Sequence, residues 1–252
     1  MADNYLENQY ESYLARKAAM SKKTSKKKKS IVKIQRIQPE ALDALQDIIS
    51  QPALQVPYDI FREHLYSATD LYRGYHIGKV DTFKDCYDQQ VYTYYINKGK
   101  KATDIKETLG RTLHDHSMTN AMNDFLTHFD EKQVVGIMGG HGLLRTEKSY
   151  QQIVLISKRL TENGCLMISG GGPGAMEATH LGAWMAGRTE EEVTKAINLL
   201  KEAPSFKDKS WLDTALQIML TYPQEQYVSL GVPTWLYGHE PATPFATHIA
   251  KY

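Results

Sequence analysis

The chain has 252 residues, with 30 basic and 29 acidic side chains, 17 glycines, 9 prolines and two cysteines, and 42% of it is hydrophobic. That supports one large domain or two small ones and excludes a chain disordered throughout. No stretch reaches the roughly 18 consecutive apolar residues of a membrane-spanning helix. Met1-Ala2-Asp3-Asn4 lacks the charged-then-apolar opening of a signal peptide, so a cytoplasmic protein is expected. Cys86 and Cys165 show no CxxC or Cys/His spacing, which points to neither a disulfide framework nor a zinc site.

Residues 1–30 hold eight Lys/Arg against three Asp/Glu, a balance of +5 that leaves −4 for the remaining 222. The run Ser21 to Ser30 has six lysines and nothing apolar to bury, so it cannot offset its own conformational entropy and is expected to be disordered. Without interleaved aromatics or arginines, it reads as a solubilising tail rather than a nucleic-acid contact.

Residues 31–130 read as a mainly helical N-terminal region. Pro39 is placed to open a helix with Leu42, Leu45, Ile48 and Ile49 on one face. Eight tyrosines between Tyr58 and Tyr95 suit a helical cover or a subunit interface, with an aromatic substrate pocket as the sharper alternative. His114-Asp115-His116 is not read as a metal site, because residues two apart on a helix face different ways and no third ligand stands at a recognisable spacing.

The character changes at Glu131, and residues 131–252 read as a Rossmann-like α/β domain with a parallel sheet. Lys132 to Met138 is a short apolar run suited to a buried parallel strand, and it ends in Gly139-Gly140-His141-Gly142. A helix over Tyr150 to Leu160 stops at Asn163-Gly164, and Cys165 to Ser169 reads as a second strand. It runs into Gly170-Gly171-Gly172-Pro173-Gly174-Ala175-Met176-Glu177-Ala178 and a further helix. Thr189 to Glu192 is a capping box. Tyr227 to Val232 is a third strand, and Thr243-Pro244 signals a helix start with Phe245 and Ile249 one turn apart. On that reading Phe245, Ile249 and one sheet edge lack partners, and the domain is expected to be incomplete at its C-terminus.

Two glycine loops at the carboxyl ends of consecutive strands stand where open α/β sheets bind ligands. Glycine lets backbone N–H groups approach an anion closely, and the helix that follows offers unpaired donors, so phosphate is the expected guest. A dinucleotide-binding pattern fits less well, because Arg145 stands where G-x-G-x-x-G needs its third glycine and Ser169-Gly170 replaces the ribose-binding acid. A Walker motif is excluded by Ala175 and Met176 where Lys and Ser/Thr belong.

Gly139-Gly140-His141 and Gly170 to Ala178 resemble the LOG family, once labelled lysine decarboxylase-like, over about residues 131–252. The G-P-G-A-M-E-A ending and Glu240-Pro241 are most similar to its nucleotide 5′-monophosphate nucleosidase branch. The resemblance implies a Rossmann-like homodimer or higher homo-oligomer, without a cofactor, that binds a nucleoside 5′-monophosphate or related phosphorylated small molecule. In active members it implies hydrolysis of the N-glycosidic bond to base and ribose 5-phosphate. The family's further motif, P-G-G-x-G-T-x-x-E with an arginine upstream, is absent from this chain.

The nucleotide-binding candidates are Gly139, Gly140 and His141 on the first loop, Gly170, Gly171, Gly172, Gly174, Met176 and Glu177 on and after the second, and Glu240 beyond the third strand. Backbone N–H groups of Gly171, Gly172 and Gly174 are assigned to phosphate or ribose, with Pro173 stiffening the turn. A side chain at Gly172 or Gly174 is expected to intrude between those donors and the anion. Glu177 either helps cap its helix or bonds ribose hydroxyls, His141 donates to phosphate or base, and Glu240 contacts the sugar at a switch crevice. No catalytic residue and no metal ligand is assigned. A nucleotide-binding protein without turnover and a dinucleotide-dependent oxidoreductase remain as alternatives.

Overall fold

A computed structural model describes residues 56–102, 104–236 and 240–252. The lysine run and the helix expected from Pro39 lie outside the described residues.

Among the described residues, three helices come first. Helix α1, Ala68–Leu71, is opened by a capping box in which Ser67 Oγ accepts the Asp70 N–H at 3.1 Å and the Asp70 carboxylate accepts the Ser67 N–H at 2.9 Å. A 3-10 turn, Val80–Asp85, leads into α2, Tyr87–Lys98, and Asp104 then caps the long α3, Ile105–Leu126, by accepting the Glu107 N–H at 2.8 Å. The tyrosines of this region form its packing. Tyr66, Tyr72 and Tyr95 are buried, and the Tyr66 hydroxyl lies 3.0 Å from His114 Nε2 and 3.2 Å from the Tyr87 hydroxyl.

The α/β part follows as β1 (Val134–Gly136), α4 (Lys148–Glu162), β2 (Leu166–Ser169), α5 (Ala175–Trp184), α6 (Glu190–Leu200), α7 (Trp211–Thr221), β3 (Ser229–Gly231) and β4 (His248–Ile249). Gly164, with φ +84°, ends α4, and the Thr189–Glu192 capping box opens α6, both as the local chemistry predicts. The four strands are all parallel and lie in the order β1-β2-β3-β4, with Val135 opposite Met167, Ile168 opposite Leu230 and Gly231 opposite Ile249. This is the α/β, Rossmann-like parallel sheet with a helical N-terminal region that the pattern predicts. The order contains no reversal, so the crevice above the glycine loops is not a switch point between these strands.

The C-terminal segment corrects one expectation. No helix starts at Thr243-Pro244; residues 241–247 are irregular and lead into β4. Phe245 and Ile249 are both 0% exposed, so neither lacks partners. Burial on two sides explains the difference. Phe245 joins the core of α4, α5, α6 and α7 with Val154, Leu181 and Ile197, whereas Ala246 and Ile249 join Trp235 and Tyr66, Val91 and Met118 of the helical region. An extended chain reaches both cores, and a helix with one apolar face would serve only one. Asp88 on α2 forms a fully buried ion pair with Lys251 and accepts the Trp235 Nε1–H at 2.9 Å. Among the described residues, no helix is long and apolar enough to cross a membrane.

Candidate functional site

The chain leaves β1 and β2 through the two glycine loops, which are bonded to each other. The Ala175 N–H donates to the Gly140 carbonyl at 3.2 Å. Gly174, with φ +70° and ψ −126°, lies so near that a Cβ there would stand 2.6 Å from the Gly140 oxygen and 2.9 Å from the His141 carbonyl carbon. Gly139 is constrained in the same way, since its Cβ would fall 2.4 Å from that of Ala175. Close packing of loop on loop therefore accounts for Gly139 and Gly174. The intrusion between donors and anion expected of a Gly174 side chain becomes a collision with the first loop.

Gly170 and Gly172 face a different neighbour. Cβ atoms there would meet the Met176 side chain, at 2.7 Å from Sδ and 2.9 Å from Cε, and Gly172 would also stand 3.5 Å from Glu240 Oε2. Gly170, Gly172, Met176, Pro233, Thr234 and Glu240 line a cavity of about 220 Å³. Met176 is the second residue of α5, so the start of that helix opens on the cavity; the Ala175 N–H is taken by the Gly140 carbonyl, and those of Met176 and Glu177 have no acceptor within the helix. No lysine or arginine is among the described residues of the lining.

His141 and Glu240 meet at the rim, with Nδ1 2.7 Å from Oε1, and the His141 ring touches the Phe206 ring edge-on at 5.8 Å between centroids. These two candidates, about a hundred residues apart in the chain, are thus brought together beside Gly172.

Glu177 is not. It makes no cap hydrogen bond at the start of α5 and is 0% exposed. Arg145 binds both its oxygens, with Nε at 3.1 and 3.2 Å, and Trp211 Nε1 donates to it at 3.3 Å. The guanidinium is completed by the Ala203 and Trp211 carbonyls at 3.1 and 3.2 Å and by Thr214 Oγ1 at 2.9 Å. The charge at the missing third glycine position thus braces the base of the second loop.

Sequence reasoning also missed the support beneath Gly171. Ser169 Oγ accepts the Gly171 N–H at 3.1 Å and lies 2.8 Å from His180 Nε2, whose Nδ1 is 2.9 Å from Ser229 Oγ. A buried imidazole therefore ties the ends of β2 and β3 to α5. Burial pushes the His180 pKa from 6.5 down to about 3, so the ring is neutral and shares one donor and one acceptor with the two hydroxyls. Gly171 itself has φ +70°, and its Cβ would lie 2.8 Å from Pro233 Cδ and 2.9 Å from Gly231 Cα. A histidine in a helical pattern carries no signal of such a partnership, because both hydroxyls come from other elements.

His114 and His116 diverge, as their spacing predicts. His114 is buried against Tyr66, whereas His116 lies 3.2 Å from exposed Asn120. Among known proteins, no family model, curated protein or solved structure matches the chain.

Proposed function

We propose that the crevice between the glycine loops binds the phosphoribosyl part of a nucleoside 5′-monophosphate, as the resemblance to the LOG family implies. The observation that carries this reading is the convergence of the Gly170–Gly174 loop, the start of α5 and Glu240 on one cavity. A phosphate at the α5 end meets oriented N–H donors and the positive end of the helix dipole. Ribose hydroxyls then donate to the Glu240 carboxylate. A lining that relies on amides suits one phosphate better than a triphosphate. The same resemblance implies a homo-oligomer that works without a cofactor.

Hydrolysis of the N-glycosidic bond is favoured over passive binding by the His141–Glu240 contact. That reaction passes through an oxocarbenium-like state and needs a carboxylate near the sugar carbon together with a group that activates water. His141 and Glu240 supply both kinds of group at one place.

Calorimetric titration with AMP and adenosine, and an assay for ribose 5-phosphate, test the two levels of the proposal separately. AMP is expected to bind at least about tenfold more tightly than adenosine, a difference of about 1.4 kcal/mol. Equal affinity for the two overturns the phosphate reading. Tight AMP binding without ribose 5-phosphate release leaves a nucleotide-binding protein and removes the hydrolase.

A further inference from the structure

A second cavity of about 300 Å³ lies beside the crevice, lined by Tyr75, Phe83, Phe206 and Trp211 with Lys207 and Lys209 among its polar members. Its aromatic walls come from distant parts of the chain. Tyr75 and Phe83 precede α2, and Phe206 and Trp211 belong to the α6–α7 connection and the first residue of α7. Tyr75 and Phe83 meet edge-on with centroids 6.3 Å apart, and the Tyr75 hydroxyl donates to Asp213 at 2.7 Å, which fixes that wall. Phe206, like Tyr75 and Phe83, packs against the buried cluster of Tyr72, Cys86, Ala203 and Leu212.

Two contacts join this cavity to the crevice. Phe206 touches the His141 ring, and His141 is paired with Glu240. Pro241, the next residue, lines the second cavity, whereas Glu240 lines the first. The two spaces are therefore neighbours, and the second, at about 300 Å³, stands at the lower end of the range of about 300–1,000 Å³ typical of small-molecule sites.

We infer that the aromatic cavity is the nucleobase subsite of the crevice and takes a purine, with the helical N-terminal region contributing through Tyr75 and Phe83. The inference rests on the phosphoribosyl reading above. With phosphate at the start of α5 and the sugar at Glu240, the base leaves the sugar on the His141–Phe206 side. Phenyl and phenol rings there offer stacking faces, which suit any base and favour the larger ring system of a purine. A glycine-loop crevice alone has no such surface, and this supplies a reason for the helical region to pack where it does.

The test compares wild type with Phe206→Leu and Phe83→Leu, which keep apolar bulk but remove the ring, using calorimetry with AMP, UMP and ribose 5-phosphate. Wild type is expected to bind AMP more tightly than UMP or ribose 5-phosphate. Each variant is expected to weaken AMP roughly fivefold or more while leaving ribose 5-phosphate unchanged. Unchanged AMP affinity in both variants overturns the inference, as does an equal loss for AMP and ribose 5-phosphate, which would mark damage to the crevice. If wild type binds ribose 5-phosphate but AMP no more tightly, the base subsite fails and the phosphate reading stands. If it binds neither, both fall.

Discussion

Arg145 and Glu177 close on each other in the interior, each side chain 1% exposed, and the pair spans 32 positions of sequence to join the first glycine loop to the helix after the second. Burying two charges costs desolvation that only good geometry and further hydrogen bonds offset, and here Trp211, Thr214 and the Ala203 carbonyl supply those bonds.

Removing one partner leaves the other charge buried and alone. Glu177→Ala is therefore expected to lose about 3–5 kcal/mol of stability, measured by urea denaturation. Arg145→Met combined with Glu177→Met should lose clearly less than the two single changes added together. If Glu177 instead bonded ribose, Glu177→Gln would weaken AMP and adenosine alike; the buried pair predicts that a folded Glu177→Gln protein keeps its affinity for both.

Acid should weaken the fold through His180. Its folded pKa is about 3 against an ordinary 6.5, so between those values the unfolded chain binds a proton that the folded imidazole does not. Stability attributable to this residue is full above pH 6.5, falls by about 1.4 kcal/mol per pH unit below it and levels off below pH 3. His180→Asn removes the titrating group. The difference in urea stability between wild type and His180→Asn should change with that slope from pH 6.5 to 4.5, and parallel curves would refute the assignment.

Gly172 and Gly174 should respond in opposite ways. Gly174→Ala forces a side chain into a left-handed conformation against the first loop and should cost at least about 1–3 kcal/mol of stability. Gly172 has an ordinary φ, and the nearest atom to its Cβ is the movable end of Met176. Gly172→Asp should therefore stay folded by circular dichroism while its carboxylate, next to Glu240, weakens AMP binding at least about tenfold through like-charge repulsion. Unchanged AMP affinity in folded Gly172→Asp would locate the anion elsewhere.

Features governed by neighbours in sequence were legible in advance: the apolar runs of β1 and β2, the Gly164 stop of α4, the capping box at Thr189 and the glycine loops themselves. Those decided by distant partners were not. Thr243-Pro244 carries a sound helix-start signal, yet Phe245 and Ala246 are drawn into two different cores, and that tertiary demand outweighs the local preference. Glu177 sits where a capping or ligand-binding carboxylate belongs, and nothing nearby in sequence announces that Arg145 and Trp211 converge on it. The meeting of His141 with Glu240 depends on the order of strands, which spacing along the chain does not encode.

Tyr66 exchanges two backbone hydrogen bonds with Ile249, at 2.9 and 2.8 Å, and so covers the free side of β4 with a residue from ahead of α1. Its ring is buried with Trp235, and Asp88 on α2 holds Lys251 two residues beyond Ile249. Backbone pairing, apolar packing and a buried charge thus cross between the helical region and the sheet at one place. The helices are in effect the margin of the sheet, and cutting the chain ahead of β1 would expose an unpaired strand edge and an uncompensated lysine rather than release a self-sufficient nucleotide-binding module.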